Sequence, residues 1–237
     1  TNLNNGISNT QMYIIGDFEP DENLMVTGLQ DNGAYKLNNT NSNHWKIIMF
    51  SDGMECFFDH NDSNIVYYSY QNGGLLKSVN GGNTGSVIIP PNVTGQAYWL
   101  TPFLMHPTNA NTLFCGFHDV YKSINAGFSW NKISNNLTGG KSIEYIDVDN
   151  TGNTIYASTS KKIWKTTNGG SVWSEITGSL PLSSLNISRI HTNPANSNSV
   201  WVTISGYAVG EKVYYSSNGG ATWTNISGSL PNLVVNC

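Results

Sequence analysis

The chain has 237 residues, 38% of them apolar and only 11% charged, which is room for one large all-β domain or two small ones. A net charge of -4 with one arginine, Arg189, argues against a nucleic-acid footprint. No stretch nears the run of roughly 18 apolar residues that a membrane-spanning helix needs.

In chain order the residues fall into five units of short strands separated by turn residues. The units are expected over about 11–50, 51–92, 98–138, 141–181 and 186–231. Unit one offers strands Met12–Ile15 and Leu24–Leu29, a turn at Asp31-Asn-Gly33 that reads as type I′, and a strand carrying Trp45 and Ile48. Unit two has an oxygen-rich loop, Asp59–Asn64, followed by strand Ile65–Ser69. Unit three is the plainest. It runs through strand Phe103–Met105, a loop over 106–111, strand Thr112–Phe117, a tight turn at His118-Asp119, strand Val120–Ser123 and strand Ser129–Ile133. Units four and five repeat this with loops Asp149–Asn153 and Asn193–Asn198, and both close on Leu-Pro (Leu180-Pro181, Leu230-Pro231). Unit five has a longer second loop, Ser205–Glu211.

A motif phases these units. Ser/Thr-x-Asn-x-Gly-x-x-Trp stands at Ser123/Asn125/Gly127/Trp130, Thr166/Asn168/Gly170/Trp173 and Ser216/Asn218/Gly220/Trp223. A copy without Trp is Ser78/Asn80/Gly82, and a degenerate first copy is placed at Asn39. The Asn positions step by 41, 45, 43 and 50 residues. A period in the forties with strand-like runs is the signature of stacked four-stranded sheets, so the expected fold is an all-β, partial or small β-propeller of about five blades forming one segment. Asn can accept backbone N–H bonds at the turn start and Gly supplies positive φ, so the motif is read as structural, with each Trp packed between sheets.

The motif resembles the Asp-box (BNR) repeat of sialidase-like, sortilin-type and xyloglucanase-type propellers, with Asn where Asp is usual. Gly28-Leu-Gln-Asp-Asn-Gly33, Asp52-Gly-Met-Glu-Cys56 and Trp99-Leu-Thr-Pro-Phe103 are similar to stretches of Bacteroidetes secreted propeller proteins with BNR-like repeats. Those usually bear a C-terminal sorting domain for type IX secretion. The resemblance implies a secreted or cell-surface protein. Thr1 in place of Met, with no signal peptide visible, reads as a mature secreted chain or a fragment of a longer one.

Alternating connections put the motif turns on one face and the remaining turns and blade-to-blade loops on the other. That second face gathers Gln30, Asp31, Asn32, Asp52, Gln71, Asn72, Tyr98, Trp99, His118, Asp119, Lys161 and Lys162. Amides, carboxylates and exposed aromatics are what a sugar-binding cleft requires. Gln30, Gln71, Asn72, Tyr98, Trp99, His118 and Asp119 are therefore the expected ligand-binding residues. Thr27–Lys36 is similar to the first-blade segment of two-propeller xyloglucanases, which implies a catalytic carboxylate at Asp31, with Asp52 or Asp119 as partner. A sialidase is excluded, because its carboxylate-binding cluster needs three arginines.

The three cysteines, Cys56, Cys115 and Cys237, make no disulfide framework, and Cys56 and Cys115 read as buried apolar residues. No cofactor or zinc spacing is present, while Asp59-His-Asn-Asp62 is a loop that suits calcium. The reading reached is a non-catalytic binding module for glycan or protein ligands, with further blades or domains of a longer chain as neighbours. A xyloglucanase-like hydrolase half is the alternative.

Overall fold

The computed structural model describes residues 10–21, 23–38, 44–93 and 97–236. The degenerate motif at Asn39 and Cys237 lie outside them. The chain divides into two compact units, Thr1–Ile89 and Pro90–Cys237.

The first unit holds two antiparallel sheets, each of four consecutive strands. One is β1 (Met12–Asp17), β2 (Met25–Leu29), β3 (Gly33–Asn38) and β4 (His44–Met49); the other is β5 (Gly53–Asp59), β6 (Asp62–Tyr70), β7 (Gly74–Ser78) and β8 (Ser86–Val87). Three more sheets of the same order make the second unit. They are β9 (Phe103–His106) to β12 (Asn131–Lys132), with β10 Asn109–Gly116 and β11 Val120–Ser123; then β13 (Tyr145–Val148), β14 (Ile155–Ser158), β15 (Ile163–Thr166) and β16 (Ser174–Glu175); then β17 (Asn186–Asn193), β18 (Asn196–Ser205), β19 (Val213–Ser216) and β20 (Thr224–Asn225). Each sheet is a propeller-type blade, and the described residues contain no helix.

Apolar side chains of neighbouring blades meet in the core. In the first unit Val26, Ala34, Cys56, Phe58, Val66 and Tyr68 form one cluster. In the second unit Leu180, Leu182 and Leu185, from a blade-to-blade loop, pack with Ile187, Val200 and Ile204. Cys56 and Cys115 are buried and free, and burial pushes both thiols up. A strand-to-strand cation–π contact recurs beneath the motif turns. Lys77, Lys122 and Lys165 lie 5.4, 5.5 and 5.5 Å over the rings of their cross-strand partners Tyr67, Phe114 and Tyr156.

The motif turn is a closed hydrogen-bond circuit. Ser216 Oγ donates to Asn218 Oδ1 at 2.8 Å and accepts the Gly220 N–H at 2.8 Å; Asn218 Oδ1 accepts the Thr222 N–H at 2.9 Å. The same circuit closes at Ser78/Asn80/Gly82, Ser123/Asn125/Gly127 and Thr166/Asn168/Gly170. Asn in place of Asp has a use: its Nδ2 donates to a hydroxyl four residues on, Thr84, Ser129 or Thr222.

The turn also seats one blade on the one before it. Trp173 Nε1 donates to the Ile133 carbonyl at 2.9 Å, and Trp223 Nε1 to the Ile176 carbonyl at 3.0 Å. Gly170 and Gly220 lie directly on those isoleucines. A Cβ on Gly170 would stand 2.7 Å from Ile133 Cβ, and one on Gly220 2.3 Å from Ile176 Cδ1. Gly82 sits on Ile48 in the same way, at 2.4 Å from its Cγ2. The copy of this seat in the last blade is uncovered: Ile226 is 46% and Leu230 47% exposed, against 7% for the equivalent Leu180.

Three sequence expectations are corrected in detail. Strands begin inside the loops predicted at 59–64, 106–111 and 193–198, because Asp59, Asn109, Asp62, Asn193 and Asn196 accept backbone N–H bonds two residues on and tighten each connection to a short turn. The last strands of blades two to five shrink to two residues, since the motif circuit holds the preceding residues off the ladder. The turn at Asp31-Asn-Gly33 is not type I′. Positive φ falls on Asp31 (59°) and Gly33 (89°) but skips Asn32, whereas Asn72 (60°) and Gly73 (90°) are consecutive.

The copies of the motif differ in depth. In blade three both Gly127 and Trp130 are buried, whereas Gly170, Trp173 and Trp223 are half-buried. Trp173 and Trp223 keep part of the indole in solvent while the N–H bonds the neighbouring blade; Trp130 withdraws nearly its whole ring from water, which stabilises through apolar area. Gly127, at φ 88°, is fixed by Ser123 Oγ, which accepts its N–H at 2.9 Å. Its buried amide has that partner inside its own turn.

Two outcomes follow for stability. Ser216→Ala leaves the buried Gly220 N–H unpaired, which costs about 1–3 kcal/mol. Thermal unfolding is expected to drop by ~2–4 °C per kcal/mol, while the exposed neighbour Ser217→Ala leaves Tm unchanged. An unchanged Tm for Ser216→Ala would show the circuit is dispensable. The second concerns His191, whose Nδ1 lies 2.9 Å from Asp147 Oδ2 on the preceding blade. That hydrogen bond is the main cause of a raised His191 pKa. The stabilisation is fully present below the unfolded imidazole value of about 6.5 and fades as pH rises through the higher folded value. The Tm deficit of His191→Gln is therefore expected to be larger near pH ~5.5 than near pH ~8.5. A deficit independent of pH would contradict this linkage.

Candidate functional site

In the first unit the candidates come together around close backbone packing. A Cβ on Gly28 would stand 2.1 Å from the Met54 carbonyl oxygen, and one on Gly53 2.9 Å from Gly28 Cα. Only glycine allows β2 and β5 to approach so closely, and that approach delivers Asp52 to the β2–β3 turn. Asp52 Oδ1 accepts the Asp31 N–H at 2.7 Å. The Asp31 residue is exposed in the left-handed region, and its carboxylate has no hydrogen bond among the described residues. Asn32 Nδ2 donates to the Gln30 carbonyl at 2.8 Å, and the Gln30 N–H to the Gln11 carbonyl at 2.9 Å. Thr10, Gln11, Gln30, Asp31 and Asn32 line a cavity of about 380 Å³. On the adjoining turn Ser51 Oγ donates to Gln71 Oε1 at 2.9 Å, and Asn72 is exposed at the tip. Asp31, Asp52, Gln30, Gln71 and Asn72 thus share one cluster of loops.

The candidates of the second unit divide differently. Asp119 is buried: its Oδ1 accepts from Ser134 Oγ at 2.6 Å and from the Leu137 N–H at 3.2 Å, and its Oδ2 is 3.4 Å from Lys132 Nζ. Its carboxylate holds the loop leading to the next blade and is turned away from solvent. Lys161 does the same one blade on, donating to the carbonyls of Leu182 and Leu185 at 2.9 and 2.6 Å. Lys212, fully buried, donates to the carbonyl of Gly206 at 2.6 Å and to Asn232 Oδ1 at 3.1 Å. His118 is half-buried, and its carbonyl accepts from Thr138. Trp99 is 45% exposed beside the half-buried Tyr98.

The motif residues take no part in either group. Ser78, Gly82, Ser123, Gly127, Trp130, Thr166, Ser216 and Gly220 are all buried, so they offer a ligand no surface.

Tyr98 leads to residues that sequence reading left out. Its hydroxyl donates to the Glu144 carboxylate and accepts from the Tyr145 hydroxyl. Burial pushes both phenols up. Glu144 Oε1 also accepts the Ser160 N–H at 2.8 Å. Arg189, on β17, stands 6.0 Å over the Tyr145 ring. Being the only arginine, Arg189 was the one visible signal; Glu144, just before β13, and Tyr145, its first residue, have none.

Other sites are quickly placed. A groove of about 790 Å³ lined by Ile133, Trp164, Gly170 and Trp173 is the seam where one blade seats on the next. In the loop that suits calcium, Asp59 and Asp62 cap their own turns by accepting the N–H groups of Asn61 and Asn64. No group of three or more His, Cys, Asp or Glu placed to hold a metal ion occurs among the described residues. No helix among them is long and apolar enough to cross a membrane.

Comparison with known proteins agrees with the repeat. A family model for sortilin (Sortilin-Vps10; sortilin, neurotensin receptor 3) matches residues 118–234, just under half of the chain. A search of curated proteins finds no match. Among solved structures, the chain is similar to an ancestral GH74 enzyme, at 21% identity and a TM-score of 0.73, over 94% of this chain and 32% of that one. It is also similar to the GH74 xyloglucanase from Xanthomonas campestris, at 13% identity and a TM-score of 0.60, over 91% of this chain and 45% of that one. YCF48 bound to a D1 peptide is similar at 13% identity and a TM-score of 0.60, over 91% of this chain and 68% of that one. The chain thus spans less than half the length of these GH74 enzymes.

The Asp52–Asp31 bond gives a direct test. Asp52→Ala is expected to speed amide hydrogen exchange at Asp31 by about tenfold or more, since a hydrogen bond to a charged group is worth about 1.5–3 kcal/mol. Exchange at the Asn72 turn should not change, and equal rates at Asp31 would show that Asp52 does not hold the turn. Five four-stranded antiparallel sheets, four of them carrying a described Ser/Thr-x-Asn-x-Gly turn, together with these likenesses show a β-propeller fold with Asp-box-like turns.

Proposed function

We propose that this chain is a non-catalytic binding module, secreted or displayed at a cell surface, whose first unit takes a glycan at the Asp31 turn. The observation that carries the reading is the division of labour between two carboxylates. Asp52 accepts the Asp31 N–H and positions the turn, while Asp31, whose carboxylate has no hydrogen bond among the described residues, lines a cavity with Thr10, Gln11, Gln30 and Asn32. Carboxylate and amide groups around a depression suit sugar hydroxyls, which both donate and accept. Glycoside hydrolysis needs two carboxylates free to flank one bond. With Asp52 engaged by a backbone amide, a binding role is favoured over turnover.

A second reading keeps Asp31 as a catalytic carboxylate of a hydrolase that this chain forms in part. The likeness to GH74 structures favours it, as does the place of Asp31 at the β2–β3 turn. A protein ligand is the other partner class, favoured by the peptide-bound YCF48 structure. Further blades are proposed to cover Ile226 and Leu230, whose equivalents in the preceding blade are packed.

A glycan array followed by calorimetric titration of the hits decides between these. Binding is expected to weaken by about tenfold or more in Asp31→Ala, the loss of one charge-assisted hydrogen bond, with no product released by either protein. Product formation by wild type that disappears in Asp31→Ala would replace the binding reading with the hydrolase. Binding of peptides but of no glycan would move the partner to protein.

A further inference from the structure

We propose that Arg189, Tyr145 and Tyr98 form a second binding site, one that receives the carboxylate of an acidic sugar such as a uronate. The site lies wholly in the second unit and does not depend on the reading of Asp31.

The cation is the first ground. Arg189 is half-buried, its guanidinium is held against the Tyr145 ring at 6.0 Å, and it has no hydrogen-bond or ion-pair partner among the described residues. A partly buried guanidinium with five donors and no acceptor is in want of one, and its fork matches a carboxylate in bidentate fashion. The acid next to Tyr145 in the chain is already committed. Glu144 takes the Ser160 N–H at 2.8 Å and the Tyr98 hydroxyl. It therefore orders the two phenols and leaves the guanidinium N–H groups without a bonded acceptor.

An orphan hydroxyl is the second ground. Ser158 is directly cross-strand from Tyr145, so the two side chains share a face of the sheet. The Ser158 hydroxyl is buried and has no hydrogen-bond partner. Such groups are rare in folded proteins and point to a ligand atom or water.

The phenols select the ligand class. The Tyr145 hydroxyl donates to Tyr98, and that of Tyr98 donates to Glu144, so both oxygens are left with lone pairs that want donors. A uronate unit carries hydroxyl donors and a carboxylate on one ring. A peptide's terminal carboxylate brings acceptors alone at that end. Trp99, 45% exposed next to Tyr98, adds an aromatic face of the kind that packs on a sugar ring.

Trigalacturonate, its fully methyl-esterified form and a short peptide with a free C-terminal carboxylate are titrated into wild type, Arg189→Ala, Arg189→Lys and Tyr145→Phe. Circular dichroism and Tm confirm that each variant is folded. Trigalacturonate is expected to bind at least about tenfold more tightly than its ester, as a charge-assisted bidentate contact requires. That preference should vanish in Arg189→Ala, fall in Arg189→Lys and persist in Asp31→Ala. Equal affinity for acid and ester, an unaffected Arg189→Ala, tighter binding of the peptide, or no binding of trigalacturonate at all would each overturn the proposal. Loss of the preference in Asp31→Ala would overturn its independence from the first site.

Discussion

The structure depends on one contact: the motif turn of a blade resting on the isoleucine of the blade before. The Ser/Thr hydroxyl and the Asn side chain close the turn on itself, so the glycine N–H groups have partners without help from a neighbour. That internal closure frees the outer surface of the turn to be flat. Glycine then lets the Ile133 or Ile176 side chain touch backbone, and the indole N–H of Trp173 or Trp223 caps the isoleucine carbonyl. A blade alone buries one face of a four-stranded sheet. The seat supplies the second buried layer, and its turn half is made from residues four to seven positions apart in sequence.

This locality explains why the fold was so readable. Every element of the circuit recurs within eight residues, so the period, the blade number and the phasing of Asn80, Asn125, Asn168 and Asn218 could be taken from the chain. The depth of each copy could not, since the burial of Gly127 and Trp130 depends on what surrounds their blade and not on the motif. Strand limits were also less legible, because the short Asx turns at Asp59, Asn109 and Asn193 admit pairing where turn residues suggested loop. The site was readable only as a list of loops. That Asp52 would reach the Asp31 amide depends on the glycine approach of β2 and β5, a contact between residues some 25 apart that no spacing announces. Tyr145 and Glu144 were hidden for another reason. They sit at the start of a strand, in an alternation that looks like any other.

The open face of the blades serves two purposes with the same residue types. Asp119, Lys161 and Lys212 follow the second strand of successive blades, and each binds a segment that leaves its own blade. In one blade the anchor is an acid that accepts N–H and hydroxyl groups; in the next two it is a lysine that donates to oxygen atoms. The charge reverses while the task remains, because a loop backbone offers both donors and acceptors.

Sequence position therefore does not separate an anchoring polar residue from a ligand-facing one on this face. The state of its hydrogen bonds does. Asp119 has its oxygens occupied and is buried, so it has little left to offer a ligand. Asp31, one blade-turn type away, has its backbone fixed by a second carboxylate and its own oxygens open. Arg189 is fixed by an aromatic face, which orients a guanidinium without using its N–H groups. In both open cases the support comes through a group other than the one displayed, and that is how a rigid scaffold holds a polar group ready while leaving its bonding capacity to a partner.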